Sequence, residues 1–377
     1  IDFSPDGKFI LISIIQKPFS YLVPYYRFPM KYAIYSSKGK ELTVLHEVPL
    51  IEDLPKGFMA VRTGPRNFSW RSDRPSNLIF VEALDGGNPE TDIKYRDEIF
   101  EVGYPFKQNK VSLLKTINRF YRIDWCNDTL ALGYDYWWNS RNTKTYVFSP
   151  SNSNKKPEII IDRNYQDRYN DPGSFVKRRN FYGKSILAMN KQNLYLMGDG
   201  FRDDGQFPFI DQLNLESLKK VRLYESSFKD KKEDLLDFEA DNNMILTRIE
   251  SASEYPNYFF RDLKTDSLTK ITDFENPFLS IMDVSKEVIE YKRSDGIDLS
   301  ATLYLPKGYD INKKQKLPMI MWAYPREFKD NKSASQITQN KNEFTFPYWG
   351  SPIYLSLIHI SEPTRRTPIS YAVFCLK

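Results

Sequence analysis

The residues able to do covalent chemistry are few, and their types bound what the chain can do. There are two histidines, His46 and His359, and two cysteines, Cys126 and Cys375. Acyl transfer by a serine needs a nucleophile on a strained turn, a histidine base, a carboxylate that orients it and donors for the oxyanion. No GxSxG segment occurs in the chain, and His46, between Leu45 and Glu47 in an expected strand, reads as a surface or partly packed histidine. The two cysteines give neither a disulfide framework nor metal-ligand spacing, and Cys126, beside Trp125 and ahead of an apolar run, reads as a small buried hydrophobe. No metal or organic cofactor is expected. The best-placed chemistry is the step from the apolar run at 317–323 into Tyr324 and Pro325. A short apolar run bounded by proline and turn-prone residues reads as a buried strand of an α/β sheet, here opening at Tyr324. α/β enzymes place their reacting groups at such strand ends.

The elements that must position this end lie upstream. Residues 287–309 read as two strands around Ser294-Asp295-Gly296, a hairpin signal. Before them, an aromatic followed by a polar turn and a β-rich run recurs at Phe3, Trp70, Trp125, Phe181 and Phe238, at spacings of 67, 55, 56 and 57 residues. Further strands are expected at 32–35, 43–48, 145–148 and 158–161, with no helical periodicity between them. Such units suit about five β-propeller blades, although tandem sandwiches would use the same strands. The last unit, 235–272, reads as three strands with a turn at Lys264-Thr265-Asp266-Ser267, and 274–277 reads as the crossing out of the propeller.

Length and charge narrow the function classes. At 377 residues the chain exceeds the usual single core, so two or more domains or a repeat architecture are expected. The formal net charge of +5 comes from interleaved signs without a basic block, so no nucleic-acid partner is expected. No apolar run approaches the roughly 20 residues of a membrane span, so no membrane partner is expected either. No signal peptide is visible and the first residue is Ile1, in mid-phrase, so preceding blades are expected to be missing. The compartment stays open, with periplasm and secretion both compatible.

The motifs also carry a resemblance. RSDGIDLSATLYLPKGYD, followed by WAYPREFKD and NEFTFPYWGSP, is similar to the start of the catalytic domain in the prolyl oligopeptidase clan of serine peptidases, within its glutamyl endopeptidase branch. Upstream, SPDGKFILISIIQKPFSYLVPYYRFP, RNFSWRSDRPSNLIFVEALDGG, WCNDTLALGYDYWWNSRNTKTYVFSP and DPGSFVKRRN extend the likeness to about Tyr354. The resemblance implies a mainly β fold, a partial β-propeller over 1–279 lacking its amino-terminal blades, followed at 280–354 by the first strands of an α/β-hydrolase domain. It implies peptide substrates, a preference for glutamate at P1, and Tyr324 as a donor to the oxyanion. A glutamate specificity calls for a cation near that side chain, and Arg178, Arg179 and Arg141 match the family's segments. The triad is absent, so this chain is expected to be inactive. A non-enzymatic propeller that binds partners is the alternative. From Leu355 the pattern stops, and 355–377 resembles a translated sequencing adapter, not native protein.

Overall fold

The computed structural model describes residues 1–107, 110–279, 285–305, 309–313, 316, 319–321, 323 and 327–347. Small antiparallel sheets build nearly all of it. The first sheet pairs β1 (Asp2–Phe3), β2 (Phe9–Ile15), β3 (Met30–Ser36) and β4 (Glu41–Val48) in chain order. The second pairs β5 (Arg66–Trp70), β6 (Leu78–Ala83), β7 (Asp97–Val102) and β8 (Val111–Thr116), and the third β9 (Arg119–Asn127), β10 (Leu130–Trp137), β11 (Asn142–Phe148) and β12 (Glu158–Asn164). The fourth is interrupted. After β13 (Ser174–Phe175) come a hairpin of β14 (Lys177–Arg179) and β15 (Ser185–Leu187), then β16 (Met189–Asn190) and β17 (Asn193–Gly198). A second hairpin, β18 (Phe201–Arg202) and β19 (Gly205–Gln206), precedes β20 (Phe209–Asn214) and β21 (Lys220–Glu225); the main order is β13-β17-β20-β21. The fifth sheet pairs β22 (Lys232–Glu239), β23 (Met244–Glu250), β24 (Asn257–Asp262) and β25 (Ser267–Lys270). Five successive antiparallel sheets of this kind are propeller blades, so the fold is mainly β with a partial propeller of about five blades.

The chain separates into two compact units. One comprises Ile1–Tyr165, Phe175–Tyr195 and Leu213–Lys219, the other Gln166–Ser174, Leu196–Gln212 and Lys220–Lys377. In the first unit, strand alternation explains the core. Side chains on a strand point to opposite faces in turn. Accordingly Leu78, Phe80, Phe100 and Val102 of the second sheet meet Leu11 and Ile34 of the first. Their neighbours Ile79, Val81 and Ile99 meet Trp125, Ala131, Tyr146 and Phe148 of the third. A middle strand is therefore buried on both faces and reads as a continuous apolar run, as in the LIFV of β6, whereas β25, an outer strand, is exposed throughout. Each such side chain contributes about 1.5–3 kcal/mol on burial. The sheets approach closely enough that a Cβ on Gly133 of β10 would lie 2.3 Å from Cδ2 of the buried Leu114.

The expected strands at 32–35, 43–48, 145–148 and 158–161 fall inside β3, β4, β11 and β12. Phe3, Trp70, Trp125 and Phe238 lie on the first strand of a sheet, but Phe181 does not. Phe181 sits in the turn of the β14–β15 hairpin, 97% exposed, while Phe175, 6% exposed, takes the first-strand place in the fourth sheet. The hairpin turn has the same aromatic-and-polar composition as a blade opening, which is why the sequence phrase points to it. The last unit has four strands where three were expected, because β22 and β23 divide at a turn in which Asn243 has a φ of +56°.

Beyond the fifth sheet, β26 (Ser285–Lys292) and β27 (Asp298–Leu305) pair as the expected hairpin. Gly296, with a φ of +88°, lets its N–H reach Arg293 O at 2.9 Å, and Arg293 is held in the turn by Asp295. The buried strand expected at 317–323 is not found among its described residues. Met319, Ile320 and Met321 form no strand and are 52%, 38% and 62% exposed. A strand buried on both faces needs flanking strands and covering layers, and no described strand pairs with it. Tyr324, His359, Cys375 and the tail at 355–377 lie outside the described residues.

Candidate functional site

Each sheet has two distinct ends, here called near, where its first strand begins, and far, where that strand finishes. Strand direction decides which candidate side chains can meet. Arg141 is at a near end, in the turn from β10 to β11, with a φ of +56°. It is 1% exposed, its guanidinium carbon lies 3.8 Å from the centre of the Trp138 ring, and Nη1 donates to Trp138 O. Arg178 and Arg179 are exposed on β14, which runs to a far end: Asn180 in the adjoining turn donates to Ser72 O at 2.7 Å, in the loop after β5. Eight residues of β10 at about 3.3 Å each put the two ends some 26 Å apart, so these three arginines do not form one site.

Cys126 is near Arg178 and faces a cavity of about 270 Å³ lined by Asp73, Arg74, Asn180, Phe181 and Tyr182. Burial pushes its thiol up to about 11, so it stays protonated at neutral pH and behaves as the buried hydrophobe the sequence suggested.

The near ends of the second and third sheets hold what the sequence reading missed. Asp97 at the start of β7 is fully buried and accepts from Arg66 Nη2 at 2.6 Å, Arg119 Nη1 at 3.1 Å and Phe120 N at 2.8 Å. Asp85, in the loop between β6 and β7, accepts from Arg119 Nη2 at 2.7 Å, Arg96 Nη1 at 2.9 Å and Gly87 N at 2.9 Å. Arg119 also donates to Met59 O at 2.8 Å, and Arg96 stacks on Trp137 at 4.1 Å. The loop carrying Met59 is pinned where Val61 N meets Gly87 O at 3.1 Å; a Cβ on Gly87 would fall 1.9 Å from Val61 O. Beyond that point Arg62 donates to Thr63 O at 3.0 Å and to Pro65 O. Burial holds Arg62 and Arg66 below the ordinary arginine value, and each is pushed further down by a neighbouring guanidinium. Burial and the charge of Arg62 likewise lower His46. The one sequence signal for this cluster is the Asp85-Gly86-Gly87 turn, since the arginines sit in unremarkable polar contexts.

In the second unit, the segment that leads on from Tyr324 is strapped to blade loops. Gln166 Nε2 donates to Glu327 O at 2.6 Å, Gln336 Oε1 accepts from Arg168 N at 2.6 Å, and Gln336 Nε2 donates to Asp167 Oδ1 at 2.7 Å. A short helix, α1 (Asn331–Ala334), is capped by Asp330, whose Oδ1 accepts from Ser333 N at 2.7 Å. Further on, Lys232 pairs with Glu343 at 2.8 Å, and the buried Phe344 packs edge-on against Tyr255 and Phe346.

No protein-family model matches the chain. Among curated proteins it is 36% identical over 360 residues to "Probable glutamyl endopeptidase, chloroplastic" of Oryza sativa subsp. japonica, covering 91% of this chain and 38% of that protein. The protein of the same description in Arabidopsis thaliana is 36% identical over 363 residues, with the same coverage of each. The chain is a homologue of the glutamyl endopeptidases. It spans well under half the length of these relatives. Among solved structures it is similar to an acylaminoacyl peptidase in complex with Z-Gly-Gly-Phe-chloromethyl ketone, at a TM-score of 0.44 and 11% identity, covering 82% of this chain and 43% of that one. Prolyl oligopeptidase B from Galerina marginata gives 0.44 and 10%, covering 82% and 38%. The sequence relationship, and not these superpositions, carries the family assignment.

Proposed function

We propose that this chain is the propeller and the opening of the catalytic domain of a serine peptidase that cleaves peptides by acyl transfer, with a preference for glutamate at P1. The observation that carries the reading is 36% identity along 91% of the chain to glutamyl endopeptidases. Under it, residues 1–279 belong to the propeller, 280–354 to the start of the hydrolase domain, and 355–377 are not native. Tyr324 donates its hydroxyl to the tetrahedral intermediate. Arg141, Arg178 and Arg179 are the substrate-binding residues carried by the resemblance; since Arg141 and the Arg178–Arg179 pair sit at opposite strand ends, at most one of these groups meets a given P1 side chain. The strap at 327–346 supports the role of Tyr324, because it anchors the chain just after that residue through contacts to the loop between β12 and β13 and to the start of β22.

Without a nucleophile and its base, the chain as it stands is inactive. Incubated with Glu-containing peptides and a fluorophosphonate probe, it is expected to show neither turnover nor labelling, while the full-length gene product shows both. In that product Tyr324→Phe is expected to lose roughly 10²-fold or more in kcat while still labelling, since one oxyanion donor is worth about 3–4 kcal/mol. Peptide hydrolysis by the 377-residue chain itself would overturn this assignment of its chemistry, and an unlabelled full-length product would favour the binding-module alternative.

A further inference from the structure

In one cluster at the near ends of the second and third sheets, guanidiniums outnumber the carboxylates that face them. Arg66, Arg96 and Arg119 face two carboxylates, Asp85 and Asp97, with Arg62 beside Arg66, and the next acid along, Glu82, is paired with Lys110 at 2.7 Å. Arg119 and Arg96 are satisfied by that pair of aspartates. Arg66 is not. It is 6% exposed, its Nη2 is bound to Asp97, and its Nη1 is buried without any hydrogen-bond partner among the described residues. A buried guanidinium N–H left unmade is costly, and one that persists calls for an explanation.

Two further features mark a built site. The loop that presents Arg62 is fixed by Val61 against Gly87, a position where no side chain fits, so Arg62 is held in place before any ligand arrives. Arg62 itself is half-buried, lies against the Tyr32 hydroxyl and donates to two carbonyls of its own loop, Thr63 O and Pro65 O, acceptors that an anion can replace. His46 closes the group: its ring lies 3.3 Å from where a Cβ of Gly64 would stand, and its charged neighbours are Arg62 and Glu82. A water molecule would satisfy the Nη1 hydrogen of Arg66 but not the surplus charge, whereas a carboxylate answers both.

The geometry points to a carboxylate-binding site between β4 and β5, in which Arg62 and the unpartnered Nη1 of Arg66 receive a carboxylate of a peptide, beside His46. The choice of a peptide as the bearer rests on the peptidase reading; the site itself does not. Its carboxylate comes from an acidic side chain or from a C-terminus, and it lies at the strand end opposite Arg178 and Arg179. Burial lowers the proton affinities of Arg62, Arg66 and His46, and a neighbouring guanidinium lowers each of them further.

The test uses the 377-residue chain and three peptides: Ac-Ala-Ala-Glu-Ala-Ala-NH2, Ac-Ala-Ala-Gln-Ala-Ala-OH and the uncharged Ac-Ala-Ala-Gln-Ala-Ala-NH2. Calorimetric titration is expected to show at least one carboxylate peptide binding about tenfold or more tightly than the uncharged one, as a charge-assisted pair requires, and which of the two binds identifies the source. Arg62→Gln, half-exposed and checked for folding by circular dichroism, should remove that difference. Lys264→Gln, in the exposed turn between β24 and β25, should leave it intact. In the unaltered chain with ¹⁵N-labelled histidine, the binding peptide should raise the His46 pKa while leaving that of His359 where it was. Equal affinity for all three peptides, an unchanged preference in Arg62→Gln, or an unmoved His46 would overturn the inference. Its failure is separable from failure of the peptidase reading, which turns on fluorophosphonate labelling of the full-length product.

Discussion

Replacing Asp97 tests the energetics of the near-end cluster directly. Its carboxylate compensates two guanidiniums, those of Arg66 and Arg119, whose side chains are 7% and 3% exposed, and it also takes the backbone N–H of Phe120. In Asp97→Ala both cations keep their desolvation cost and lose a counter-ion, and breaking a buried pair in this way typically costs about 3–5 kcal/mol. The orphaned N–H of Phe120 adds about 1–3 kcal/mol, with less than full additivity. A total near 4–6 kcal/mol is a large part of the roughly 5–15 kcal/mol that holds a domain together. Asp97→Asn, which keeps an acceptor but not the charge, should cost less. Hydrogen exchange is the suitable assay, because a chain with two compact units need not unfold in one step. Protection of β7 and β9 should fall in Asp97→Ala, and adding Arg66→Met should restore part of it by removing the stranded charge. The control is Lys110→Ala, which breaks a partly exposed pair with Glu82 and should cost no more than about 1 kcal/mol. If Asp97→Ala loses no more protection than this control, the cluster does not hold the blades as argued.

Other consequences follow from single contacts. Gly133→Ala drives a methyl against the buried Leu114 and should destabilise the chain by about 1–3 kcal/mol, visible as a lower denaturation midpoint with the sheets retained. Phe344→Ala empties a buried aromatic position between Tyr255 and Phe346; at about 3–5 kcal/mol for such a truncation, the strap should open to limited proteolysis within 327–347 before the blades do. His46 has a folded pKa below its unfolded value, so its contribution to stability is present above about pH 6.5 and is lost as pH falls through the lowered value. His46→Gln should therefore flatten that part of the pH–stability curve, and an unchanged curve would show that His46 does not titrate as its surroundings require.

What was legible in the sequence was local. The β26–β27 hairpin follows from Ser294-Asp295-Gly296, since only a residue free to take a φ of +88° closes that turn without strain. The strands expected at 32–35, 43–48, 145–148 and 158–161 follow from short β-rich runs set between turn residues, and they fall inside β3, β4, β11 and β12. The buried, inert character of Cys126 was likewise readable from its neighbours. The family itself was readable because several motifs stand in the right order along the chain.

Only the tertiary structure decided which charges meet. Arg66 is 31 residues from Asp97 in the chain and Arg119 is 22 away, so no spacing rule links them; they converge because antiparallel pairing returns each strand to the same end of its sheet. The same folding back sends Arg141 to one end and Arg178 with Arg179 to the other, although all three lie within 40 residues and looked equivalent as candidates for one anion. The aromatic of the fourth blade was misread for a related reason, because Phe175 and Phe181 differ not in type but in whether a strand pairs beside them. Turn chemistry and side-chain alternation are properties of a few adjacent residues, while burial and ion pairing are properties of neighbours that the chain acquires only once its sheets have assembled.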